Sequence, residues 1–408
     1  MNTEREDAEQ LPDPTGSTSG RLWELAALFL KLGAISFGGP AAHIALIEEE
    51  IVRKRHWMTR PQFLDMLGAA NLIPGPTSTE MAINTGFVRA GWAGLCVAGA
   101  SFILPAALIT GAFAWAYVRF GNLPQAVSLL AGIKPAVVAV IAIAIWRLGK
   151  TAMKDAGLAA LGALSLAAFF IGVNPILILF GGGLLGMLGR KATNLRAGSL
   201  LLLPALRPKS LAPSSRLGSI ATLVFVTATT AAIRPSTTQI GLFFLKIGAV
   251  LYGGGYVLLA FLEQGLVQQH SWLTHQQLLD AVAIGQFTPG PVLSTATFIG
   301  YLLGGAPGAA VATAGIFLPS FIYVALLAPV LFRLRKSSWI AAFLDSVNVC
   351  AVALMAGVTF RLAVDALRGW PSWVIALVSL AVLLRWKISP AWIVLGGGIA
   401  GLLMAALR

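Results

Sequence analysis

Along most of this chain the apolar positions neither alternate nor form one helical stripe; they run on in long blocks. Trp92–Tyr117, Ala136–Trp146 with its flanks and Trp373–Leu384 are clear examples, and such runs suit helices that cross a bilayer. Roughly 12 to 13 hydrophobic segments are predicted. The pattern therefore predicts an all-α, polytopic integral membrane protein. The blocks are punctuated by Pro, Gly and charged residues, which are costly to keep in a membrane and mark the first places to look for function.

The punctuation repeats. Phe29-Leu30-Lys31-Leu32-Gly33-Ala34 returns as Phe244-Leu245-Lys246-Ile247-Gly248-Ala249, 215 residues later. The same offset pairs Gly38-Gly39 with Gly253-Gly254, Glu48 with Glu263, Trp57 with Trp272, Asp65 with Asp280, and Pro74-Gly75-Pro76 with Pro289-Gly290-Pro291. After a one-residue deletion, Leu104-Pro105 matches Leu318-Pro319 and Arg147 matches Arg361. The expected organisation is a disordered polar tail (1–20), a first repeat (21–190), a basic linker with an extra hydrophobic segment (191–235) and a second repeat (236–408). That is six elements, a connector and six elements.

Charge adds an orientation. The loop after the first element of half one carries Arg53, Lys54, Arg55 and Arg60, whereas its match at Gln268–Gln277 has no Lys or Arg. Further on the bias reverses: Arg333, Arg335 and Lys336 face only Arg119. Matching loops with opposite bias predict two homologous halves in inverted orientation, with the extra segment at 217–233 supplying the odd crossing.

A straight helix cannot pass through Pro74-Gly75-Pro76, so residues 61–89 are expected to form a broken or re-entrant hairpin. Pro76 would open a new helix, leaving the N–H groups of Thr77 and Ser78 unpaired at a dipole end that favours anions. Half two repeats the design at Pro289, Gly290, Pro291 and Ser294; a simple proline kink is the alternative. Lys31 and Lys246 lie in apolar sequence, either as snorkelling cations or as inward-facing ones that help to hold an oxyanion. Ser36, Gly38 and Gly39, with Gly253 and Gly254, form a second break that allows close backbone approach or tight packing. Glu80 (opposite Thr295) and His43 (opposite Leu258) are present in one half only and are the candidates for proton coupling. Glu80 could equally be a partner for Arg89 or a buried hydrogen-bonded acid. Glu48 reads as a salt-bridged helix end, and His56, His270 and His275 as loop residues.

Composition agrees: 57% hydrophobic residues, 11% charged, and a mean hydropathy of +0.82 exclude an ordinary soluble domain. The net charge of +13 fits orienting loops better than nucleic-acid binding, for which no basic run interleaved with aromatics is present. Cys96 and Cys350 are too few for a disulfide framework and read as buried small hydrophobes. Leu148-Gly149-Lys150-Thr151 imitates the end of a phosphate-binding loop, but the leading glycine would fall at Ala144. No metal cluster, cofactor motif or nucleophilic triad is apparent. A membrane-embedded lipid phosphatase using Glu80, Ser78 and Arg89 is the rival from another class.

The string Ser36-Phe37-Gly38-Gly39-Pro40-Ala41-Ala42-His43-Ile44, followed by Trp57, Phe63-Leu64-Asp65 and Pro74-Gly75-Pro76, resembles the chromate ion transporter family in its long two-domain form. So does Gly285-Gln286-Phe287-Thr288-Pro289-Gly290-Pro291. The resemblance covers essentially the whole chain. It implies a bacterial inner-membrane, multi-pass secondary transporter that exports chromate, driven by the proton gradient or the membrane potential, and confers chromate resistance. Sulfate is a competing or alternative ion, the surrounding lipids and protons are the other partners, and a homodimer is a candidate assembly. It adds Asn71 and Gln286 to the expected substrate site. Glu80 and Asn71 depart from the family pattern, which often has glutamine at these positions, whereas Gln286 retains it.

Overall fold

The computed structural model describes residues 17–37, 39–198, 235–252, 255–334, 337–386 and 388–407. Gly38, Gly253 and Gly254, most of the expected tail and linker, and the extra segment 217–233 lie outside the described residues. Among the described residues the chain forms helices and no strand.

Half one runs through α1 (Thr18–Ile35), α2 (Pro40–Glu48), α3 (Arg60–Ala70), α4 (Thr77–Phe120), α5 (Pro124–Ala152), α6 (Ala156–Ile171) and α7 (Pro175–Gly198). Half two repeats the order as α8 (Thr237–Val250), α9 (Leu258–Leu262), α10 (His275–Phe287), α11 (Thr295–Leu334), α12 (Ser338–Ala366), α13 (Trp370–Arg385) and α14 (Pro390–Ala406). Both α2 and α9 pass into π-helical stretches, Glu49–Lys54 and Glu263–Gln269. Among the described residues four helical stretches are long and apolar enough to cross a membrane: Thr77–Phe120, Pro124–Ala152, Val292–Leu327 and Trp339–Ala366. Shorter apolar helices accompany them. The protein is an all-α, multi-pass membrane protein of two homologous halves.

The two longest helices are each folded double. In α4 the chain turns at Ala90 and Gly91 (φ 59°), and in α11 at the matching Gly304 and Gly305 (φ 62°). A positive φ of this kind is cheap only for glycine. A methyl on Gly86 would strike the Gly94 carbonyl, and the matching pair Gly300 and Gly308 is equally close, so the arms on either side of each turn lie backbone to backbone.

Two helix-breaking arms therefore precede the long helices in each half. In half one their outer ends meet: the Arg89 guanidinium lies 4.9 Å from the centre of the Trp57 ring and reaches Glu24 at 3.3 Å, while Arg21 bonds the Arg89 carbonyl. Their inner ends are the breaks at Ser36–Gly39 and Pro74–Pro76. From this cluster the 92–120 arm of α4 runs away to Tyr117, whose hydroxyl donates to Asp280 at 2.8 Å. Asp280 stands in the second turn of α10, close to the Ser271–Thr274 loop of half two.

Each half is completed by the other. The inner breaks are joined reciprocally: the Gly75 N–H donates to the Leu251 carbonyl and the Gly290 N–H to the Ser36 carbonyl, both at 2.8 Å and at matched positions of the repeat. Helix α5 of half one packs on α13 and α14 of half two, while α12 packs on α6 and α7. The contacts correspond. Gly132 lies against Gly397 and Gly401, and Ser346 and Cys350 fill the equivalent places against Gly186 and Gly182. Small residues let these helices approach closely where no hydrophobic effect drives them together.

Two sequence expectations need adjustment. Pro76 caps the second arm (φ −82°, ψ 105°) and the helix starts at Thr77, because Pro76 keeps extended backbone beside Gly75. Cys350 is buried against Ser165, but Cys96 is exposed, on the face of α4 opposite the Gly94 and Ala98 contacts.

Candidate functional site

At one of the two places where breaks of opposite halves meet, a small cleft opens. Its lining is Ser36, Gly39 and His43 of half one and Gly285, Gln286, Thr288, Gly290, Val292 and Pro390 of half two. Local sequence builds each wall. Helix α1 ends at Ile35, Gly39 (φ 80°) caps α2, and Pro40 sits in the first turn, where its missing N–H costs nothing. On the other wall α10 stops at Phe287 ahead of Pro289, and Gly290 (φ 88°) turns the chain into Val292–Ser294.

His43 ties this wall to the neighbouring break. Its Nε2 lies 3.1 Å from the Ser36 carbonyl and its Nδ1 3.3 Å from the Ser78 hydroxyl. A carbonyl only accepts, so Nε2 carries the hydrogen and Nδ1 accepts from Ser78. The Ser36 carbonyl thus takes two donors, His43 and the Gly290 N–H. The ring is 1% exposed and stands edge-on to Phe102. Of the residues expected from sequence, Ser36, Gly39, His43, Gln286 and Gly290 line one cleft, and Ser78 is one hydrogen bond from it.

The other expected residues are distributed as follows. Pro74, Gly75 and Pro76 form the matching break, buried, with Asn71 exposed beside it and accepting from the Thr77 hydroxyl at 3.2 Å. Pro289 and Pro291 flank Gly290, and Ser294 is buried and accepts from Thr110. Lys31 is outside the cleft: its side chain is 55% exposed and pairs with Glu50 at 3.1 Å. Lys246 is exposed on the matching face of α8. Gly38, Gly253 and Gly254 are outside the described residues.

Glu50 gathers Lys31, Lys54 and Arg55. Burial pushes its carboxyl up, but the hydrogen bonds and charges of Lys31 and Lys54 outweigh this and hold it below the ordinary carboxylate value. Glu48 pairs with Arg60 at 3.4 Å, and its match Glu263 is buried and pairs with Arg361 at 3.3 Å.

Glu80 is fully buried, and among the described residues neither of its oxygens has a hydrogen-bond partner. It is not a partner for Arg89, which is held by Glu24. Ser78, Glu80 and Arg89 thus point to three different surroundings and do not converge as a phosphatase site would require. Among the described residues no three His, Cys, Asp or Glu side chains gather as a metal would need.

Three groups escaped the sequence reading. Thr288 and Pro390 line the cleft. Lys134 of α5 meets Asp280 at 3.0 Å, with both side chains under 10% exposed, and Tyr117 holds the second carboxylate oxygen. A lysine inside Ile133-Lys134-Pro135 could have been flagged as Lys31 was. Ser320 of α11 is fully buried, with no hydrogen-bond partner for its hydroxyl among the described residues; it could have been found by asking where the two repeats differ, since its match is Ala106.

Comparison with known proteins gives a consistent picture. The family model described as "Chromate transporter" matches twice, over residues 23–187 and 238–402. A chromate transport protein of Cupriavidus metallidurans is 35% identical over 97% of this chain and 98% of its own length. A probable chromate transport protein of Synechococcus elongatus is 33% identical over 90% of each chain. A chromate transport protein of Pseudomonas aeruginosa is 30% identical over 93% of this chain and 92% of its own. No solved structure gives a significant match.

Proposed function

Since this chain belongs to the chromate transporter family, we propose that it is a secondary transporter that carries chromate across the membrane, outward from the cytoplasm. The energy would come from the proton gradient or the membrane potential, and the physiological result would be chromate resistance. The observation that carries the reading is the cleft at which Ser36, Gly39 and His43 meet Gln286, Thr288 and Gly290. Chromate and sulfate are tetrahedral dianions, and a dry site for them needs several converging donors. The Gln286 amide and the helix starts beyond Gly39 and Pro291 supply donors and favourable dipoles at one place, while the Thr288 hydroxyl lines the cleft with its hydrogen donated to the Ile284 carbonyl at 2.7 Å. Ser78 answers through His43. No covalent chemistry is required. Lys31 and Lys246, which stand away from the cleft, would act on the anion before it enters.

The halves would lie in opposite orientations, so that the cleft is reached from one side at a time. This is supported by the clustering of Arg89 with Trp57 at one end of the 92–120 arm and the bond from Tyr117 to Asp280 at the other. The twenty-six helical residues from 92 to 117 span about 39 Å, more than the hydrocarbon core of about 30 Å. The matched loops beyond Trp57 and Trp272 would then lie on opposite faces, as their charge also suggests. Reporter fusions at 56 and 271 should report opposite sides, and the same side for both would remove the inversion.

The decisive measurement is uptake into proteoliposomes of chromate and of sulfate, with ionophores setting the pH gradient and the potential separately. Saturable chromate flux that sulfate inhibits is expected. Flux of neither ion above protein-free vesicles would end the proposal.

A further inference from the structure

The second meeting place of breaks, where Pro74–Pro76 faces Leu251 and Tyr252, is built differently from the cleft. Gly75 has φ 145°, and a methyl added there would run into both the Glu80 carboxyl and the Ser320 hydroxyl. An acid from α4 and a hydroxyl from α11 of the other half therefore crowd the same glycine. Both side chains are 0% exposed, and among the described residues Glu80 Oε1, Glu80 Oε2 and Ser320 Oγ have no hydrogen-bond partner. Buried polar groups are seldom left so, and an ionised carboxylate without a partner is strongly disfavoured here.

The repeat sharpens this. At the matching place Gly290 faces the Ala106 methyl and the Gly33 carbonyl, while the residue matching Glu80 is Thr295, whose hydroxyl is satisfied by the Val292 carbonyl at 2.8 Å. Glu80 matches Thr295 and Ser320 matches Ala106, so the acid and the hydroxyl occur together at one break and are both replaced at the other. The acid and the hydroxyl, 240 positions apart in the chain, are thus both particular to this one break.

We propose that Glu80 and Ser320 form the site that binds the coupling cation, a proton, with Ser320 positioning the acid beneath Gly75. The proposal rests on the transport reading above and selects Glu80 over His43, whose two ring nitrogens are already engaged. Protonated Glu80 is neutral and can donate to the Ser320 oxygen, so the break closes without a buried charge. When the proton leaves, the carboxylate must find water or a donor, which favours opening of the break. The titratable group facing Glu80 from the opposite break is Tyr252, whose hydroxyl donates to the Leu72 carbonyl. Tyr323 of α11 stands behind it, bonded to the Ala249 carbonyl. No Lys, Arg or His among the described residues offers Glu80 a counter-charge.

The test uses the full-length protein in proteoliposomes and two assays. One is chromate counterflow, which needs no driving gradient; the other is uptake driven by an imposed pH gradient. Glu80→Gln should keep counterflow within about threefold of wild type and lose the pH-driven component. Ser320→Ala should shift the pH profile of uptake while counterflow is retained, and Ser320→Thr should restore the profile. A merely structural role for Ser320 would lower both assays without moving the profile. Wild-type pH-driven uptake in Glu80→Gln overturns the proposal, as does uptake driven by sodium at constant pH. Absence of counterflow in the wild type would instead overturn the transport reading.

Discussion

Asp280→Leu and Lys134→Met, singly and together, test what holds α10 in place. The pair joins α5 of half one to the arm whose end lines the cleft, with a separation of 3.0 Å and side chains 9% and 3% exposed. At that distance and an effective dielectric near 20, the attraction is about 5 to 6 kcal/mol, much of it cancelled by taking both charges out of water. Removing one partner leaves the other charge buried alone, so each single variant should lose about 3 to 5 kcal/mol. The double variant removes both charges together and should recover most of that loss, giving a large coupling energy. Reversible unfolding in mixed detergent micelles, followed by tryptophan fluorescence, gives the four free energies of the cycle. If both single variants lie within about 0.5 kcal/mol of wild type, or their losses simply add, then the pair is not a buried ionic contact and the reasoning fails.

Tyr117→Phe, which removes only the hydrogen bond to Asp280, should cost less, about 1.5 to 3 kcal/mol in the same assay. Gly290→Ala combines a strained φ of 88° with a clash against Ala106, and should abolish chromate counterflow while Gly181→Ala, at a helical position with open space, leaves it intact. Glu50→Gln should lower the thermal midpoint at neutral pH. Because the folded carboxyl sits below its ordinary value, its contribution is full above that value and fades as pH falls through the folded one, so the gap between wild type and Glu50→Gln should close in acid.

The breaks were legible in the sequence because proline and glycine act on their own backbone. Pro74-Gly75-Pro76 stops a helix wherever it stands, and the duplicate at Pro289-Gly290-Pro291 does the same. Capping at Thr59 and Thr274, where Gln62 and Gln277 complete the capping box, is local in the same sense. What was not legible is which break meets which. Nothing near Ser36 specifies that its carbonyl will receive the Gly290 N–H, since that choice is made by helices packing far along the chain. Lys31 and Lys134 show the same limit. Both are lysines in apolar sequence, yet one pairs at the surface with Glu50 and the other inside with Asp280. Ser320 carries a weaker signal still, visible only as a difference from Ala106.

The exchange of α5 and α12 between the halves has a consequence for biogenesis. As the chain emerges from the ribosome, α12 finds its neighbours α6 and α7 already made. Helix α5 does not: the surface around Gly132 must wait for Gly397 and Gly401 near the end of the chain. Until α10 is made a lysine at position 134 is in the membrane without Asp280, and until α14 is made a face of small residues is open to other helices. Assembly of such distant contacts is slow and exposed to mispairing. Helices α13 and α14 are thus the ones that lock the first half, and truncation after α12 should leave a product that membrane proteases degrade faster than the full chain, as a pulse-chase would show.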